Sequence, residues 1–285
     1  AGKDFIFYFL YIKKRLYLCT MFKKGYIWFI AVAIILLSGC DGYSKLLKST
    51  DRAAQLAAAE TFYKDGNWGR ARQLLEALQL NYRDRSKMED ITWMLATCQL
   101  KQRDYYLAAY GFTTFLRQYP YSTHCEEALF NAAYCKYKES PASSLDQSLT
   151  REAISDFEHF VELYPNSTRV PEVNEYIDQM QEKLMMKDYD IAYGYYWTEQ
   201  YHAAYISLKN FINLYPDSPK KEDAMFYVIK SGYIYATNSR EDKMKERLEA
   251  VVNDFNKFAT TFQDSKHIKE SQDIYTKCQA LLATM

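Results

Sequence analysis

Glycine and proline are scarce in this 285-residue chain, nine and six, so few breakers interrupt long regular elements. No Cys-x-x-Cys pair occurs, and no histidine stands at metal-ligand spacing from a cysteine. The usual zinc and redox patterns are thereby excluded. A Gly-rich phosphate loop, HExxH, GxSxG and an EF-hand loop are all missing as well. The four histidines, His124, His159, His202 and His267, lie far apart on polar-rich stretches. They read as solvated or partly hydrogen-bonded helix residues, not as catalysts. Acidic pairs such as Glu126-Glu127 follow a turn and suit a first-turn role against the helix dipole. The sequence therefore predicts no enzyme, no metal and no dissociable cofactor. Net charge is also lacking, +0 at neutral pH. That balance rests on the first 39 residues, which carry six of 36 basic and one of 36 acidic groups. Residues 40–285 hold 30 basic and 35 acidic groups, a net of −5. An acidic surface of this kind is a poor partner for nucleic acid, which needs a cationic stripe. Finally, the apolar run from Tyr26 to Leu37 falls short of the roughly 20 residues that span a bilayer.

What is present begins with that run. Lys23 and Lys24 precede it, and Leu37-Ser38-Gly39-Cys40 closes it. A positive region, a short apolar core and small residues before a cysteine have the layout of a cleaved signal. The ending resembles the lipobox of bacterial lipoproteins. That resemblance implies cleavage before Cys40 and acylation there, with several chains needed for firm anchoring. Residues 21–39 are the expected signal peptide, and residues 1–20, ahead of Met21, an over-extended start. Residues 40–50 are read as the lipidated cysteine and a spacer, and 51–285 as the folded domain. Cys98, Cys125, Cys135 and Cys278 remain beyond the anchor. Cys125 and Cys135 sit too far apart on one helix for a disulfide, and all four read as small packing residues.

A repeated phrase organises the domain. Tyr105, Ala108, Phe112, Phe115 and Tyr119-Pro120 recur as Ala153, Phe157, Phe160 and Tyr164-Pro165, and again as Tyr201, Ala204, Leu208, Phe211 and Tyr215-Pro216. Weaker copies run Trp68, Ala71, Leu75, Leu78, Tyr82 and Val251, Phe255, Phe258, Phe262. Spacings of four and three place these side chains on one helical face. The proline marks the helix end, and the serine that follows offers turn chemistry. Each such helix follows another with a small residue on its inner face: Ala59, Ala96, Ala133, Ala192 or Gly232. The pairing resembles the tetratricopeptide repeat. The predicted fold is an all-α tetratricopeptide-repeat solenoid of about five helix pairs over 51–262, with a capping helix at 265–283. Three departures from regular spacing stand out. Residues 138–149 and 236–245 read as polar insertions between the two helices of repeats three and five. The helix before Tyr201 is predicted to run from about Pro171 to Thr198.

A lipobox followed by about five elongated repeats resembles the BamD family, lipoproteins of the outer-membrane β-barrel assembly machine. The phrases that carry this are Asp65-Gly66-Asn67-Trp68 with Ala71 and Leu74-Leu75-Glu76-Ala77-Leu78, Tyr119-Pro120 with Glu126-Glu127-Ala128-Leu129, Tyr164-Pro165-Asn166-Ser167 and Tyr215-Pro216-Asp217-Ser218. The resemblance implies a lipid-anchored scaffold on the periplasmic face of the outer membrane. It implies two partners: the barrel-forming subunit, held through its periplasmic domains, and unfolded outer-membrane protein clients. Two other readings share the repeats and the anchor, a lipoprotein coordinating cell-wall synthesis and a glycan-binding lipoprotein of a nutrient-uptake system. The densest aromatic run is Tyr189, Tyr193, Tyr195, Tyr196, Trp197 and Tyr201. Tyr195 and Tyr201 read as core. Tyr193, Tyr196 and Trp197 are the candidate binding residues, for an extended apolar peptide, and the expectation is that they cannot all face the same side.

Overall fold

The computed structural model describes residues 40–82 and 84–285; residues 1–39, including the expected signal peptide and Cys19, lie outside the described residues. The chain divides into two compact units, one ending at Ser122 and the other running Thr123–Met285. The described residues hold twelve α-helices and no strand. The first unit contains α1 (Cys40–Leu47), α2 (Arg52–Lys64), α3 (Trp68–Asn81), α4 (Met88–Lys101) and α5 (Tyr105–Gln118). The second contains α6 (Cys125–Glu139), α7 (Ser148–Leu163), α8 (Val170–Trp197), α9 (Tyr201–Leu214), α10 (Lys221–Thr237), α11 (Glu241–Thr261) and α12 (Ile268–Leu282). Five antiparallel pairs, α2–α3 through α10–α11, and a terminal helix reproduce the expected repeat architecture.

One register builds three of the pairs. Gly66, Arg103 and Glu199 close the hairpins of repeats one, two and four with φ of 73°, 62° and 59°. The next residue in each turn donates its N–H to the carbonyl five residues earlier in the chain. Asn67 reaches the Phe62 carbonyl at 2.8 Å, Asp104 that of Gln99 at 2.9 Å and Gln200 that of Tyr195 at 2.9 Å. This is the left-handed helix stop that satisfies orphan carbonyls. Ala59, Ala96 and Ala192 each stand seven residues before that left-handed position, and Ala71, Ala108 and Ala204 five after it. All six are buried, so the two helices meet at methyl groups and approach closely.

The second helix of every pair ends alike. Tyr82, Tyr119, Tyr164, Tyr215 and Phe262 are the C-cap residues of α3, α5, α7, α9 and α11. In the last four pairs the cap ring lies 5.3–5.8 Å from the buried phenylalanine four residues earlier. The serine after the turn has a double role. Ser167 Oγ accepts from the Arg169 N–H at 3.2 Å and donates to Glu126 Oε1 at 2.6 Å. Ser265 repeats this with His267 N–H at 3.0 Å and Glu222 Oε1 at 2.6 Å. Glu126 thus ties its helix start to the next turn, a task beyond the dipole role expected for it.

Two expectations about length need revision. The predicted insertion at 236–245 is helical at both ends, because α10 reaches Thr237 and α11 begins at Glu241. Glu241 and Asp242 favour the first turn of α11, and Met244 joins Leu248 and Val251 on the buried stripe. The extra residues therefore lengthen a helix instead of a loop. The segment 40–50 is not a plain spacer either. Its α1 docks on repeat one: the Tyr43 hydroxyl lies 2.9 Å from the Arg70 carbonyl and from Gln73 Oε1. The buried Gln55 amide donates to the carbonyls of Leu46, Leu47 and Ser49 at 2.9–3.1 Å and caps α1.

Candidate functional site

The long helix α8 and the next first-helix, α10, bring the candidate aromatics together. Tyr193 is the hub. Its ring lies 5.7 Å from Tyr189, 6.3 Å from Tyr196, 6.0 Å from Trp197 and 4.6 Å from Tyr227. Its hydroxyl sits 3.2 Å from that of Tyr227. Tyr196 packs 4.9 Å from Tyr227. Positions 193, 196 and 197 follow the i, i+3, i+4 spacing that shares one helical face. The sequence reading that they could not all face one side is therefore corrected. Tyr193 and Tyr196 are half-buried, whereas Trp197 is 71% exposed. Large aromatics usually bury their faces, so Trp197 is the open end of this cluster.

Tyr227 and Lys230 belong to the site and were missed in the sequence, because nothing local marks which tyrosines of α10 meet α8. The Lys230 ammonium lies 5.7 Å from the Tyr196 ring centre and 5.1 Å from that of Phe226, and 2.8 Å from Glu270 Oε1. Burial opposes its charge, but the Glu270 bond and Tyr196 outweigh it and hold the ammonium above the usual lysine value. Burial pushes the phenols of Tyr189 and Tyr227 well up, so neither is a base at neutral pH. Aromatic planes, phenol edges and one paired cation can bind a polypeptide by stacking and cation–π contact. They contain no nucleophile–base pair.

The other side of α8 organises the loop of repeat three, residues 140–147. Gln147 is buried and its amide donates to the carbonyls of Ala142 and Leu145 at 2.8 and 3.1 Å. Lys183 Nζ donates to Ser140 Oγ at 2.7 Å, and Lys187 Nζ to the Leu145 carbonyl. The expected insertion is thus a fixed ledge against α8. The remaining candidates are structural. Burial pushes the thiols of Cys98 and Cys135 up to about 12 and that of Cys278 to about 11. His267 stacks 4.0 Å over Phe226 with Nε2 3.0 Å from Asp223 Oδ1, and His202 stacks on Tyr235 at 4.4 Å. Among the described residues no group of three His, Cys, Asp or Glu could hold a metal ion. None of the described helices is long and apolar enough to cross a membrane. Cys40 is the first residue of α1.

Comparison with known proteins gives the family. A model described as "YfiO: Outer membrane lipoprotein" matches residues 49–193 and 185–285. Among solved structures, a tetratricopeptide repeat protein from Parabacteroides merdae is similar at 15% identity. The match covers 80% of this chain and 100% of that one, with a TM-score of 0.34. TPR-like repeats of a Podosopora anserina putative kinesin light chain match at 13% identity over 75% and 96%, with a TM-score of 0.31. The chain belongs to the YfiO family of outer membrane lipoproteins, non-catalytic, lipid-anchored scaffolds that face the periplasm and work with the barrel-assembly machinery and its outer-membrane protein clients.

Proposed function

We propose that Cys40 carries the lipid, that the second unit holds the barrel-forming subunit through its periplasmic domains, and that the first unit receives the unfolded client. The observation that carries this division is the surface of α8. This helix has 28 residues, about 42 Å of stiff rod. It is flanked by a pinned ledge on one side and an aromatic face ending in an exposed tryptophan on the other. A rigid surface of this size suits a lasting protein interface, whereas shorter repeats suit a passing extended segment. Tyr193, Tyr196 and Trp197, joined by Tyr227, would then take an extended apolar stretch of the partner.

The anchor reading is tested by intact-mass analysis of native protein. A mature species that begins at Cys40 and carries acyl chains is expected, and one retaining Met21 or lacking fatty acid overturns it. With α1 docked on repeat one, the lipid would hold that repeat close to the membrane surface. The partner reading is tested with the barrel subunit's periplasmic domains and the full chain in nanodiscs. The double substitution Tyr196→Ala, Trp197→Ala is expected to weaken binding about tenfold or more, the usual effect of losing aromatic anchors. Full affinity in a folded variant removes the aromatic face from the interface. Separate fragments test the division, cut between Ser122 and Thr123. A cut after residue 165 would strip α8 from Phe157 and Phe160, against which Val173 and Met180 pack. Barrel-subunit binding should follow the second fragment.

A further inference from the structure

We infer that a second docking groove lies on α8, on the same helical stripe as the aromatic cluster but nearer the start of the helix, and that it takes a polypeptide segment presenting an apolar side chain between basic residues. The groove is a hollow of about 440 Å³ between the middle of α8 and the turn from α9 to α10. Leu184, Met185, Leu214 and Pro216 give it apolar walls. Leu184 packs on the cluster around Phe157 and Phe160, and Met185 on the cluster around Leu208 and Phe211. The hollow therefore opens where two apolar clusters adjoin. Its origin is the length of α8. The 14 residues of α9 cover only the end of α8 nearest the turn, and the middle is left bare on that side. Leu214 is the last residue of α9 and stays 65% exposed at the hollow's edge.

Charge identifies the occupant. Asp178, Glu182 and Asp217 stand around the hollow, and no lysine or arginine is among its lining residues. Several other acids on these elements are engaged by side chains of the fold. Glu172 takes the Tyr176 hydroxyl at 2.7 Å, and Asp188 that of Tyr215 at 2.7 Å. Asp223 lies 3.3 Å from Lys266 Nζ. Among the described residues the three rim carboxylates have no ion-pair partner in the chain. Asp178 and Glu182 are four apart on one helix, a like-charge spacing that works against the helix. The fold thus gains nothing from these charges, and they surround an open apolar surface. An apolar side chain would fill the hollow while flanking lysine or arginine groups meet the rim, the usual pairing of apolar centre and complementary charged border. This inference does not depend on which partner occupies the aromatic face.

The test uses the full chain, carrying 13C-methyl methionine, in uncharged phosphatidylcholine nanodiscs. Met185 lines the groove, and Met180, fully buried one turn earlier, is the silent reference. Two blocked peptides serve as probes, one with leucine between two lysines and one with leucine between two glutamates. The lysine probe should shift the Met185 methyl signal saturably, leave Met180 in place and bind about tenfold or more tightly than the glutamate probe. Added salt should weaken it. The double substitution Asp178→Lys, Glu182→Lys changes only exposed positions, and it should reverse the preference while Met180 keeps its position. Equal response to both probes, or no saturable response at millimolar concentration, overturns the inference. So does a Met185 shift that grows with protein concentration alone, which would assign the groove to a second copy of the chain.

Discussion

Repeat two and repeat four are built on one hairpin and used differently. Both have a second helix of 14 residues, α5 and α9. Both turn through a non-glycine residue at positive φ, and both place their small residue seven positions before it. Their first helices differ twofold, 14 residues in α4 against 28 in α8. All the extra length of repeat four lies at the helix end far from the turn. Packing explains this. Residues near the turn are locked by methyl-to-methyl contact between the paired helices, and insertion there would shift every buried position. Growth at the far end leaves the register intact and creates surface that α9 does not cover. The ledge contacts and the acidic-rimmed hollow both draw on that added length, through Lys183 in one and Asp178 and Glu182 in the other.

The largest expected effects test whether the shared hairpin is energetically the same. Phe115→Ala and Phe211→Ala each remove a buried ring and should each cost about 3–5 kcal/mol, read as falls in the thermal or urea midpoint. A loss several-fold larger in one repeat would break the equivalence. A second pair of substitutions compares the ties between repeats. Lys209 Nζ is 3.0 Å from Asp254 Oδ1, whose side chain is 8% exposed. Gly232 makes room for this, since a Cβ there would stand 2.9 Å from the Tyr205 ring, and Tyr205 donates to Asp254 at 2.8 Å. Arg72 pairs with Asp104 at 2.9 Å in the first unit, where the carboxylate side chain is 32% exposed. Lys209→Met strands a buried charge and should cost about 1–3 kcal/mol. Arg72→Met should cost under about 1 kcal/mol. Equal losses would mean that burial of Asp254 does not matter.

A smaller effect sharpens the turn comparison. Arg103→Gly and Glu199→Gly relieve left-handed backbone strain and should each stabilise by about 0.5–1 kcal/mol, raising the midpoint in both repeats. The smallest concerns pH. Burial pushes the Asp223 carboxyl upward, but its bonds to His267 and Lys266 outweigh that and leave it below the usual value. Its contribution is therefore present above the ordinary carboxylate pKa of about 4 and is lost as pH falls through the lower folded value. Asp223→Asn should be less stable than the parent at pH 6 by under about 1 kcal/mol, and the gap should close below pH 4. A gap that widens on acidification refutes the assignment.

The sequence by itself determined the repeat grammar. Ala71, Ala108, Ala153 and Ala204 are all buried where the spacing placed them, and Tyr82, Tyr119, Tyr164, Tyr215 and Phe262 all end their helices. Helical periodicity is local, so a single strand of text carries it. The course of α8 was legible for the same reason. Residues 236–245 were misread because polarity alone does not separate a loop from an exposed helical turn, and only the position of Met244 on the stripe decides it. The site needed the tertiary structure. Tyr193 meets Tyr227 across 34 residues of chain, and the groove joins the middle of α8 to a turn that α9 carries back to it. Such meetings depend on helix length and crossing geometry in three dimensions, which residue spacing along one helix does not encode.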